Sequence, residues 1–214
     1  FSIGALHISA AGTFSDDVVT LTSAQADGPL GLSLTASGTL PITGTGANLS
    51  FQASAPLALA NRFLIDRGTQ LSGTLQAQGT LTGSLDDPNI QANLTAAGAQ
   101  VIDPLANIGL NNVNLAASIS GQTVNIATLS AAIAGGGTAT ASGTISLDAA
   151  AGFPADLNIA LAQARYADGD FIVATASGNL SISGPLARDP LIAGQIFVER
   201  ADLSAPENLG GGPA

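Results

Sequence analysis

Several residue types are missing from this 214-residue chain, and each absence removes a class of function. It contains no cysteine, tryptophan or methionine, and no lysine. Without cysteine there are no disulfides, thiolate metal sites or cysteine nucleophiles. Without lysine there is no phosphate-loop ammonium, and the five arginines cannot supply the clustered cations that neutralise a nucleic-acid backbone. A net charge of −10, from 15 acids against those arginines, also excludes electrostatic attachment to anionic membrane surfaces. Charged residues make up only 9% and aromatics 4%, while hydrophobic residues reach 46%, so the apolar content is Ala, Leu, Ile and Val. That richness in aliphatics excludes a disordered chain. Polar residues interrupt the apolar ones every two or three positions, so no membrane helix is expected.

What is present is alternation. Leu30, Leu32, Leu34, Ala36, Gly38, Leu40 and Ile42 take the even positions of one run, with Gly31, Ser33, Thr35, Ser37 and Thr39 between them. A period of two places these sets on opposite faces of a β-strand. The pattern returns over 71–81, 113–119, 139–147, 172–182 and 192–198, and in shorter form over 6–10, 49–53 and 157–161. Turn chemistry separates the runs: Ser15-Asp16-Asp17, Asp27-Gly28-Pro29, Asp86-Asp87-Pro88-Asn89, Gly135-Gly136-Gly137 and Asp168-Gly169-Asp170. The spacing predicts an all-β, antiparallel-type architecture whose strands are greasy on one face. One segment departs from it: Leu57, Ala60 and Leu64 share a helical face, predicting a short helix near 57–65 that caps the greasy face. Gly38-Thr-Leu, Gly79-Thr-Leu, Gly143-Thr-Ile and Gly178-Asn-Leu mark a loose internal repeat with irregular intervals.

Candidate chemistry is sparse. His7, the single histidine, lies on the polar phase of the first run with no second histidine for a metal pair or a triad. Tyr166 beside Arg165 reads as packing. The acidic pairs Asp16/Asp17, Asp86/Asp87 and Asp168/Asp170 fit turns better than the six to eight oxygens calcium requires. The sequons at Asn48, Asn93 and Asn179 fall inside strands. No catalytic residue, metal site or cofactor is expected.

The greasy face therefore carries the functional reading. Alternation alone fits a closed sandwich or barrel core equally well. Two features favour an open trough: small Ala and Gly recur at inward positions, which fills a closed core poorly, and mean hydropathy is positive at +0.40. The expected lining is Leu32, Leu34, Leu40, Leu75, Leu81, Leu115, Ile119, Ile145, Leu147, Leu180, Ile182 and Ile196.

Three stretches carry a family likeness: Pro56-Leu-Ala-Leu-Ala-Asn-Arg-Phe-Leu64 followed by Leu71 to Ile90; Ala176-Ser-Gly-Asn-Leu-Ser-Ile-Ser-Gly184; and Asp189 to Pro206. In that order they resemble the periplasmic β-rich region of the TamB family and, more broadly, of the AsmA-like proteins. The resemblance implies a long curled sheet forming a taco-like trough, hydrophobic inside, over residues 1–209, with 210–214 as a flexible glycine-rich end. It implies a periplasmic protein of a Gram-negative envelope, tethered to the inner membrane by a segment outside this sequence. The implied work is phospholipid transport between the membranes, with acyl chains as cargo, or outer-membrane protein assembly with a TamA-like barrel partner. Two other functions stand beside the conduit: a β-strand template for nascent outer-membrane proteins, and a passive adhesin or spacer stalk. A filled interior would favour the stalk.

Overall fold

A computed structural model describes residues 5–65, 68–84, 87–168 and 172–203. Its strands are β1 (His7–Ser15), β2 (Val18–Asp27), β3 (Ser33–Pro41), β4 (Thr45–Pro56), β5 (Gln70–Ser72), β6 (Thr74–Ser84), β7 (Pro88–Asp103), β8 (Ile108–Ser120), β9 (Thr123–Ile133), β10 (Thr138–Ser146), β11 (Pro154–Asp168), β12 (Ile172–Pro185) and β13 (Leu191–Leu203). All belong to one sheet in sequence order, every pairing antiparallel, with β5 set beside the end of β7. The sheet is not closed, and among the described residues β1 and β13 are its outermost strands. Twelve strands in a row, at the usual spacing, extend about 50 Å. The predicted all-β antiparallel trough is the observed architecture.

Among the described residues no second layer covers this sheet. The chain exposes 13417 Å², against about 9,000 Å² for a compact protein of 20.9 kDa. Among the described residues nothing larger than Val113 is buried; the others are Gly152 in a turn and alanines such as Ala99 at 2% and Ala131 at 3% exposure. Six of the buried residues, from Ala92 to Ala131, lie in the central strands β7, β8 and β9, where neighbours on both sides and the curl of the sheet crowd small side chains together. Among the described residues one core cluster forms, of Ala99, Val113 and Ala131, with Leu57, Val101, Leu110 and Leu129 packed against it.

Bulges shape the curl. Register shifts interrupt β2 after Leu21, β7 between Ala96 and Ala99, β8 between Asn111 and Asn114, β9 beside Ala116 and Ala117, and β11 between Leu161 and Ala164. An extra residue increases local twist and bends the strand. It also resets the alternation, so Leu161 and Ala164, three positions apart, still share a face. The repeat glycines mark another device. A Cβ on Gly38, Gly79, Gly143 or Gly178 would lie 2.1 to 2.2 Å from the carbonyl oxygen of Asn48, Gln91, Asp156 or Gln195 on the next strand. The Gly-Thr-Leu outline thus marks places where two strands approach too closely for any side chain.

The structure refines several expectations. The first run starts at Ser33, not Leu30: Pro29–Gly31 is a 3-10 turn with Leu30 at φ 60, closed by the Gly28 N–H donating to Leu32 O at 2.7 Å. The expected helix is a 3-10 helix, Leu57–Phe63. Three residues per turn bring Leu57 and Ala60 to one side, and Leu57 packs on the core cluster. The 71–81 run is split at Gly73 into β5 and β6. Beyond Pro56, β4 no longer flanks β5, and Asn61 takes its place: its amide nitrogen donates to Leu71 O at 3.0 Å and its amide oxygen accepts from Leu71 N at 2.7 Å. The pair satisfies backbone groups that would otherwise lack a strand neighbour. Asp16 and Asp17 both adopt positive φ, as a tight two-residue hairpin turn requires. Asp86, residues 169–170 and the glycine-rich end 210–214 lie outside the described residues.

Candidate functional site

Cross-strand register decides what each face of the sheet presents, because directly paired residues point to the same side. One row runs Ile8, Ala26, Leu34, Ala53, Ala77, Leu94, Ala117, Ile126, Gly143, Leu157, Ile182 and Ile192, one residue from each of twelve consecutive strands. No member is polar. A parallel row runs from Ala55 through Leu75, Ala96, Leu115, Leu129, Ala141, Ile159 and Leu180 to Gly194. A third links Ala10, Ala24, Ala36, Phe51, Gly79, Ala92, Ile119, Val124, Ile145, Ala155 and Gly184. Together they form an aliphatic floor along the trough, perpendicular to the strands.

The opposite face is equally consistent. Ser9, Gln25, Thr35, Gln52, Gln78, Asn93, Ser118, Asn125, Thr144, Asp156 and Ser183 make one row, with a single charge among them. Shallow depressions on this face, such as one of about 400 Å³ beside Gln52 and Gln76, have walls of amides and hydroxyls. Such walls retain water and offer an alkyl chain nothing. His7 belongs to this face, exposed and paired with Asp27. The three sequon asparagines stand there as well, paired with Thr39, Ser118 and Gln195.

Most of the expected lining residues fall on the three rows or next to them. Leu75, Leu115 and Leu180 share one row, Leu34 and Ile182 another, and Ile119 and Ile145 the third. Leu81 pairs with Leu49 and Ile90, Leu40 with Val19, and Ile196 with Gly178. Two stand apart: Leu32 in the turn before β3, and Leu147 just beyond β10, where its N–H donates to Gln122 O at 2.8 Å. The register adds Phe51, Leu94, Ile126, Leu129, Leu157 and Ile159. Leu94, Ile126 and Leu129 were hidden because β7 and β9 are Ala-rich and bulged. The apolar side is partly lidded where Leu57 from the 3-10 helix meets the core cluster.

No helix among the described residues is long and apolar enough to cross a membrane, and no group of three or more metal-ligating side chains gathers among them. Neither the curated proteins nor the solved structures contain a match. One family does match: residues 127–214, from within β9 onward, fit the TamB C-terminal domain. That family is an envelope-associated transport and assembly module, and its general field is outer-membrane biogenesis. From within β9 onward, over 88 of its 214 residues, the chain is thus similar to the TamB C-terminal domain.

Proposed function

We propose that the trough shields the acyl chains of phospholipids as they cross the periplasm between the inner and outer membranes. The observation that carries this reading is the row from Ile8 to Ile192, which crosses the sheet without a polar residue and has no second layer over it among the described residues. An alkyl chain of about fifteen methylenes entering water costs on the order of 12 kcal/mol, at ~0.8 kcal/mol each. An aliphatic wall removes most of that cost. Because Leu, Ile and Ala resemble lipid tails, it adds no deep well to hold the chain in place. The amide-bearing outer face keeps the structure wetted in an aqueous compartment. In this reading a tether to the inner membrane lies outside the sequence, and a TamA-like barrel receives the far end.

Photo-crosslinking tests it. A benzophenone side chain at Leu94 or Ile159 captures phospholipid in cells, whereas one at Gln78 or Asn93 captures none. Equal capture from both faces contradicts the conduit.

A second reading has its own support. Every residue of β13 is exposed, no described strand pairs with its outer edge, and Leu191 and Phe197 put apolar side chains on the otherwise polar face. An open edge of this composition suits pairing with another β-strand, from a barrel partner or a nascent outer-membrane protein. Crosslinks from β13 to protein, with none from the floor to lipid, would favour it.

A further inference from the structure

The trough is not uniform along its length. β8 and β11 both outrun the short β9–β10 hairpin and meet beyond its turn. The turn is held from either side, since Ala134 N–H donates to Gly109 O at 2.8 Å and Arg165 N–H to Gly136 O at 3.0 Å. Past it, the Asn107 side-chain amide donates to Ala167 O, joining residues 60 apart in sequence. The β7–β8 turn that carries Asn107 is itself fixed. Asp103 accepts from Ala106 N–H through one oxygen and from Thr69 Oγ1 through the other, each at 3.0 Å, and Asn107 sits at φ 52.

These contacts close a cup of about 640 Å³ at one lip of the trough. Its wall is aliphatic, with Ile102, Ile108, Leu110 and Leu161 among the lining side chains and the ring of Tyr166 at the side. Ile159 lines the cup and also belongs to the floor row that runs from Ala55 to Gly194, so the two apolar surfaces are continuous. The volume is that of a small-molecule pocket, not a gap between side chains. Asp103, Asn107 and Arg165 complete the lining, with the Asp103 carboxylate and the Asn107 amide already engaged in hydrogen bonds within the chain.

We propose that this cup is a binding site for the methyl end of a single unbranched alkyl chain. The chain lies along the floor and turns its terminus into the cup, and the Asn107–Ala167 hydrogen bond holds the cup closed around it. The assignment rests on the conduit reading and deepens it: the floor lets chains slide, and the cup is where one pauses. Asn107 is a positioning residue that acts by holding two strand ends together.

The absence of tryptophan makes the test clean. Tyr166→Trp places a reporter in the cup and Phe51→Trp one on the distant floor; both exchange one aromatic for another, and Ile108→Trp is a second cup reporter. A fatty acid and a lysophospholipid, brominated either near the methyl end or near the carbonyl and supplied below micelle concentration, serve as quenchers; whichever headgroup quenches names the chain's source. The cup predicts that methyl-end bromine quenches Tyr166→Trp more strongly than carbonyl-end bromine. It also predicts that adding Asn107→Ala weakens that quenching about fivefold in apparent affinity while leaving Phe51→Trp unchanged. Quenching of Phe51→Trp without quenching of either cup reporter, or with no preference for bromine position, overturns the cup and leaves the conduit standing. If neither site is quenched, both fall together.

Discussion

β7 and β13 are built to the same alternating scheme and end up in opposite circumstances. β7 buries Ala92, Ala96 and Ala99, and its polar phase of Gln91, Asn93 and Thr95 faces water. In β13 nothing is buried, with Phe197 at 66% and Leu203 at 76% exposure, and both of its faces carry large apolar residues. In a single-layer sheet, burial does not come from the alternation itself. It comes from a hydrogen-bonded neighbour on each side and from curvature, and β13 has only one such neighbour. The centre of the sheet is thus crowded by its neighbours, while β13 keeps apolar surface that no other described residue covers.

The difference can be broken by overpacking. Ala99→Phe, in the most crowded place of the central strands, destabilises the chain by about 3 kcal/mol in urea unfolding. Ala193→Phe on β13 changes stability by about 0.5 kcal/mol at most, since nothing crowds it. Comparable losses from both would mean that the edge is packed after all. A buried charge sharpens the contrast in function. Leu115→Asp, on a floor row between two strands, weakens binding of a fluorescent alkyl chain about a hundredfold, with the fold retained by circular dichroism. Val198→Asp on β13 weakens it by about threefold or less, because a charge there reaches water.

Smaller effects test the supports. Asn61→Ala removes both hydrogen bonds to Leu71 and costs about 2 kcal/mol, with faster hydrogen exchange over residues 57–72 as its signature. The smallest effect belongs to the edge again. Arg200 and Asp202 make an ion pair at 2.8 Å with both side chains mostly exposed, so Arg200→Ala shifts stability by about 0.5 kcal/mol or less.

The fold class was legible because a half-buried strand writes its period directly into the sequence. Runs such as Leu75, Ala77, Gly79 and Leu81 needed nothing more. β2 and β9 escaped because each contains a bulge: Leu21 and Ala24, or Ile126 and Leu129, are three apart, which breaks the period of two while keeping both residues on one face. β7 escaped because a bulge interrupts it between Ala96 and Ala99 and its inward residues are mostly alanine. The continuity of the floor was beyond the sequence, since it depends on pairing register, which no single strand records. So was the cup, where Asn107 and Ala167 meet only because two long strands pass the end of a short hairpin. The repeat glycines were visible as a motif, but their cause, a carbonyl oxygen on the neighbouring strand, was not.

Lipid extraction and mass spectrometry of the chain purified from cells test the central claim most directly, comparing the native protein with Leu34→Asp and Leu180→Asp. The account predicts phospholipid held in stoichiometric amount by the native chain and lost from both folded variants. Equal retention by all three, or none by the native chain, would contradict an apolar floor that carries lipid.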